Sequence, residues 1–252
     1  MAKRLLLLVK FFDREEYARR FLEYGEMYCR PLADFKSIED GDVRGDRYEA
    51  VSHWLQPKGV KIEITPHTPD GMPLDTIHIK ESDLAGPVVS QLSIYDNFNL
   101  FCLHAVSYEE FEERYETEEE RVLIKERINK SLIEQTTVPD QCAQFGEHAV
   151  LIHDVGQFFD RIKAQAARDG VGVYGDFVEY FNADEFNGGF NGVDSIFRKR
   201  DDYSYQKEYR LAFNFRSSLP QARMVGLGSL KDVAVIVPAK DLNGLLKIEV
   251  DG

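Results

Sequence analysis

Gln206, Glu208 and Arg210 stand at alternate positions in a stretch, Tyr203 to Phe215, that is otherwise largely aromatic and aliphatic. Read as a β-strand, that stretch puts Tyr203, Tyr205, Tyr209, Leu211, Phe213 and Phe215 on one face. The amide, the carboxylate and the guanidinium share the other, about 7 Å apart at a rise of about 3.3 Å per residue. Such a row of polar side chains on one strand face can build a site. The simpler expectation is a solvated strand face that carries a Glu–Arg pair.

Other chemistry-bearing groups are scattered. Asp40, Asp42, Asp46 and Glu49 form an acidic loop able to meet a divalent cation, but Arg44 and Val51 occupy positions where a calcium loop needs ligands, so a solvated loop is the expectation. Cys142, His148, His153 and Asp154 are metal-capable types, yet on one strand His148 and His153 face opposite ways, and no metal site is expected. Cys102 and His104 share a strand face, as a thiol nucleophile and its base would, or as a buried Cys beside a hydrogen-bonded His. His53 and Trp54 could stack on a planar ring.

The elements that must position these groups follow from periodicity. Leu5 to Phe12 is a short apolar run, expected as a central strand. A helix follows, with Asp13 and Glu16 as a capping box and Gly25 as its stop, then a strand from Glu26 to Arg30 ending at Pro31. Glu39 to Arg47 reads as a loop. Val60 to Ile64 and Thr76 to Lys80 alternate polar and apolar residues and predict an antiparallel hairpin. Leu100 to Val106 is another strand. Tyr108 to Gln135, with Tyr108, Phe111, Tyr115, Ile124, Ile128 and Leu132 at helical spacing, predicts one long helix or two. Glu147 to Ile152 reads as a strand, and Asp154 caps the helix after it. Phe177 to Phe181 reads as an aromatic strand, Phe186 to Val193 as a mobile Gly/Asn loop, and Val233 to Val237 as the last strand. Strands in neighbouring runs with helices inserted irregularly predict one α+β domain over residues 1–252, with a mixed, largely antiparallel sheet.

The 252 residues suffice to bury about three quarters of the unfolded surface. With 31 basic and 44 acidic side chains the net charge is −13, which disfavours general nucleic-acid binding. Leu5 to Val9, cut off by Lys10, is too short to span a bilayer or serve as a leader, so no membrane association is expected. Three widely spaced cysteines, Cys29, Cys102 and Cys142, fit reduced thiols and a cytoplasmic location.

Gln-x-Glu at the head of an apolar strand, Gln206 to Glu208, resembles the late motif of ADP-ribosyltransferases. The resemblance implies NAD as cofactor, Glu208 holding the nicotinamide ribose and offsetting oxocarbenium charge, and Gln206 orienting a macromolecular acceptor. It also implies a split sheet, whose first strand presents a basic residue to the cofactor. Lys10 stands there, where Arg or His is usual, and Arg210 becomes a second phosphate contact. The middle motif, normally a Ser-rich strand, falls on Cys102 to Ser107 and would bring His104 and Ser107 to the cofactor; this is a departure from the pattern. More of the chain resembles an uncharacterised family of bacterial and prophage-encoded proteins, through Gly45 to Glu49, the strand with Cys102, Phe145 to His148, and Tyr205 to Arg210. That likeness implies no activity of its own but a prophage or defence setting, in which a transferase would act as a toxin or phage-defence effector. Two other functions stay open: a non-catalytic acidic protein that engages a protein partner, and a metal-dependent hydrolase or nuclease built on the Asp40 to Glu49 loop.

Overall fold

A long strand that serves partners on both edges organises the chain. The computed structural model describes residues 3–37, 46–111, 114 and 116–247. In chain order the elements are β1 (Lys3–Phe12), α1 (Glu15–Tyr24), β2 (Glu26–Pro31), α2 (Leu32–Lys36), β3 (Val51–Leu55), β4 (Ile62–Ile64), β5 (Ile77–Ile79), β6 (Val88–Gln91) and β7 (Asn99–Glu109). Then follow α3 (Glu118–Thr136), β8 (His148–Ile152), α4 (Val155–Asp169), β9 (Gly172–Phe177), β10 (Glu179–Phe181), β11 (Gly188–Gly189), β12 (Arg198–Arg200), β13 (Glu208–Asn214), β14 (Arg223–Gly226), β15 (Ala234–Pro238) and α5 (Leu242–Leu245). The class is mixed α+β with largely antiparallel sheets; among the described pairings, β10 with β12 is parallel.

The main sheet has eight strands, in the order β14-β2-β7-β1-β8-β15, with β13 on the other edge of β7 and β9 beyond it. On one edge of β7, residues 99–104 pair with β13. On the opposite edge β1 pairs with His104 to Glu109, whereas β2 pairs only with Asn99 and Leu100. Between those two registers, Phe101 to Leu103 face a split where β1 and β2 diverge. Helix α1 connects the two strands, so the apolar run that makes β1 central also fixes one lip of the split.

One face of the sheet packs on α1 and α4 through Leu8, Phe21, Phe101, Ile152, Phe158 and Ile162, all buried. The other carries Val9, Val106, Cys142 and Leu151. Gly25 ends α1 with φ +65°, and an added Cβ would strike the Gly228 carbonyl and Leu227, so this turn admits no side chain. Gly146, at φ +148°, lies equally close to the backbone of Phe12.

Several elements differ from expectation for identifiable reasons. Helix α1 starts at Glu15 after Arg14, with no side-chain cap; the Asp13 capping box is not formed. Strand β7 runs on to Glu109 because β1 extends alongside it, with Arg4 opposite Tyr108. The following helix therefore begins only at Glu118, where Thr117 and Glu120 form the capping box. Tyr115 lies outside the described residues. Val178 divides the expected Phe177 to Phe181 strand between two sheets. The Gly/Asn stretch is tied down: β11 pairs with β3, and Phe186 stacks on Phe190 at 4.6 Å. The Ile62–Ile64 and Ile77–Ile79 hairpin forms as read, and Asp154 caps α4 by accepting from Gln157 N at 3.0 Å.

The Tyr203 to Phe215 stretch is not one strand. Residues 201–206 form a 3-10 turn, Lys207 adopts φ +40°, and the strand begins at Glu208. The Lys207 amine donates to the carbonyls of Gln135 (2.7 Å) and Thr137 (3.1 Å) at the end of α3, and its own carbonyl accepts from Ala105 N at 2.8 Å. These tertiary bonds hold the left-handed residue that interrupts the strand.

Candidate functional site

The row of polar side chains survives in part. Glu208 and Arg210 leave the same face of β13, and Arg210 Nε donates to Glu208 Oε1 at 2.7 Å. The pair is not solvated: Arg210 is fully buried and Glu208 is 5% exposed. A carboxylate there requires compensation, and it has two cations. Lys199, from β12, lies 3.4 Å from Glu208 Oε2 and 3.0 Å from Glu49 Oε1. Arg210 closes the circuit with two bonds to Glu49, Nη1 to Oε2 at 3.0 Å and Nη2 to Oε1 at 3.3 Å, and also donates to the Ile196 carbonyl. Two acids and two bases thus alternate around a closed, neutral, buried ring.

The ionisation of the ring follows from competing effects. Burial alone would raise the Glu208 pKa, but Arg210 and Lys199 outweigh it and hold the carboxyl well below its ordinary range. Burial would likewise lower Lys199, and Glu49 and Glu208 override it upwards. Burial first, and the neighbouring Glu208 carboxylate next, push the Cys102 thiol up to about 12. Tyr180 accepts from the Glu208 backbone N–H at 3.0 Å.

A cleft of about 800 Å³ opens over this ring at the split between β1 and β2. Its inner wall includes Cys102, His104, Lys199, Gln206, Glu208 and Arg210; its outer lip comes from α1, β2 and β14. Val9, His104 and Glu208 lie in one row across three strands and project from one face. Lys10 projects from the opposite face and reaches the same cleft through the split. There its amine donates to the Cys102 carbonyl at 2.8 Å and lies 4.4 Å from the Phe101 ring centre. A smaller hollow of about 430 Å³, walled by Phe181, Phe186 and Phe190, does not touch the ring.

Glu208, Gln206, Lys10, Arg210 and His104 line the one cleft, and Ser107 does not. Ser107 sits further along β7 opposite Leu5, where β1 closes the sheet. Gln206 comes from the 3-10 turn rather than from β13, and its Oε1 accepts from Lys199 at 2.8 Å. Arg210 is a ring member whose Nε, Nη1 and Nη2 all engage protein acceptors, so as a phosphate contact it would first have to leave Glu49 or Glu208. The His104 Nδ1–H donates to the Gln206 carbonyl at 2.8 Å, leaving Nε2 as the unprotonated, buried nitrogen, without a hydrogen-bond partner among the described residues. Burial pushes the His104 pKa down to about 4.

Sequence reading missed Lys199, and it placed Glu49 in an acidic loop expected to be solvated, whereas Glu49 is fully buried. The available signal was Arg198-Lys199-Arg200, a basic triplet whose strand alternation turns the middle residue inward. Asp46 accepts from Tyr48 N and pairs with Arg200 at 3.2 Å, while Glu49 belongs to the ring; Asp40 and Asp42 lie outside the described residues. Among the described residues no three His, Cys, Asp or Glu side chains are placed to share a metal ion. Trp54 does not offer a free ring: it packs on Tyr48 and Phe181, and its indole N–H donates to the Ala183 carbonyl at 2.8 Å. Among the described residues no helix is long and apolar enough to cross a membrane. No protein-family model, curated protein or solved structure matches the chain.

Proposed function

We propose that the chain is an NAD-dependent transferase of the ADP-ribosyltransferase type, acting on a macromolecular acceptor as a toxin or phage-defence effector. The observation that carries this reading is the placement of Glu208 on the inner wall of a nucleotide-sized cleft at the sheet split that Lys10 also enters. Charge supports it. The cleft lining has five Lys and Arg side chains against four Asp and Glu, while the whole chain has 31 against 44. An anionic ligand is therefore least repelled here.

In this reading Glu208 is held ionised by Arg210 and Lys199. Its Oε2, whose Lys199 contact is 3.4 Å against 2.7 Å for the Arg210 bond to Oε1, is the oxygen with capacity for a ribose hydroxyl and for developing oxocarbenium charge. Gln206, whose Oε1 accepts from Lys199, is the acceptor-orienting group. Lys10 contacts the cofactor phosphates, and His104 contributes a neutral acceptor. Purified protein with NAD and a cell lysate tests the reading. Release of nicotinamide and labelling of a lysate component are expected, and both should fall about 100-fold or more in Glu208→Gln. Absence of both in folded wild-type protein, or full activity in the variant, removes it.

A non-catalytic alternative draws on the ring itself, which protein groups alone close and neutralise. It predicts an acidic protein that binds a basic protein partner and leaves NAD intact under the same assay.

A further inference from the structure

The outer wall of the cleft has a composition that folding does not explain. Strand β2 buries Met27 and Cys29 on its core face, whereas its cleft face carries Glu26, Tyr28 and Arg30. Tyr28 is 60% exposed, and its register partner on β14, Met224, is 52% exposed. Directly opposed side chains on neighbouring strands stand about 5 Å apart, which sets the thioether beside the ring on the cleft face. Tyr17, from α1, lines the same cleft and is 42% exposed. Large apolar groups left in water at a cleft mouth, with the core available on the other face of the same strand, mark a surface built for a ligand.

Two cations flank this surface. Arg20 Nε donates to Glu26 at 2.6 Å and Arg30 Nε donates to Asp34 at 3.1 Å. Both pairs are within reach of solvent, where an ion pair is weak enough to be exchanged for a ligand anion. An apolar platform beside exchangeable guanidinium groups fits a heteroaromatic base joined to phosphate.

We infer that Tyr28, with Met224 beside it, is the stacking platform for the base of a nucleotide whose phosphates run past Arg20 and Arg30 toward the inner wall. This rests on the cleft being a nucleotide site, as proposed above, and assigns one end of the ligand to residues that take no part in transfer. Because Tyr28 is exposed and outside the core, its replacement leaves the fold intact.

Calorimetric titration with AMP, NAD and ribose 5-phosphate tests the assignment. Tyr28→Ala should weaken AMP and NAD about tenfold or more, Tyr28→Phe should stay within about twofold of wild type, and ribose 5-phosphate, which has no base to stack, should change less than about twofold. The platform is overturned if wild-type protein does not bind AMP, or if Tyr28→Ala binds AMP as wild type does. The two proposals fail separately. Tyr28-dependent AMP binding without NAD turnover supports the platform and removes the transferase reading; NAD turnover with an unchanged KM in Tyr28→Ala does the reverse.

Discussion

Arg210 grips Glu49 through two parallel bonds, 3.0 and 3.3 Å long, across 161 residues of sequence, with both side chains fully buried. This contact fastens the segment before β3 to the middle of the main sheet. It also completes the ring that charges Glu208. Removing one member strands its partner in a medium that cannot solvate it.

Arg210→Met should therefore destabilise the protein by about 3–5 kcal/mol. Replacing both members, Arg210→Met with Glu49→Leu, leaves the Lys199–Glu208 pair intact and should cost clearly less than the sum of the single changes. Urea denaturation of the four proteins measures the coupling. Additive losses would mean that the two residues do not stabilise each other.

Acid should weaken the fold in two windows. His104 has a folded pKa of about 4 against 6.5 for the free side chain. The unfolded chain therefore takes up a proton first, and stability falls as pH drops from 6.5 to 4, by roughly 3 kcal/mol. Glu208 is depressed well below 4.5, so its contribution is complete above 4.5 and is lost as pH falls below that value. Denaturation profiles should show His104→Asn flattening the upper slope and Glu208→Gln the lower one. Unchanged slopes in either variant would contradict the corresponding shift.

The thiols should be inert in the folded protein. Burial raises Cys29, and it pushes Cys102 and Cys142 up to about 12. At pH 7.5 a disulfide reagent should react with the three cysteines only as fast as the protein unfolds, and with all three promptly in denaturant. Rapid labelling of Cys102 in native protein would instead revive a thiol nucleophile beside His104.

Gly25→Ala should destabilise by more than about 2 kcal/mol, because the residue combines a left-handed φ of +65° with close contact to the Gly228 carbonyl. The damage should reach the cleft, since this turn sets β2 against the split. Thermal denaturation, together with AMP binding by the surviving folded fraction, checks both consequences. Wild-type melting would show that the turn has slack.

The parts legible in the amino-acid sequence were those governed by near neighbours. The apolar run of β1, the alternating hairpin of β4 and β5, the cap at Asp154 and the stop at Gly25 are local patterns, and the α+β class follows from their order. The shared face of Glu208 and Arg210 was legible for the same reason. Tertiary structure decided the rest. Lys207 breaks the strand between Gln206 and Glu208 because its amine is held by the end of α3, some 70 residues away. Lys199 and Glu49 join the ring through packing of β12 and of the segment before β3, which no periodicity encodes. Whether a Glu–Arg pair lies in water or in a buried ring beneath a cleft depends on which segments cover it, and chain topology sets that cover.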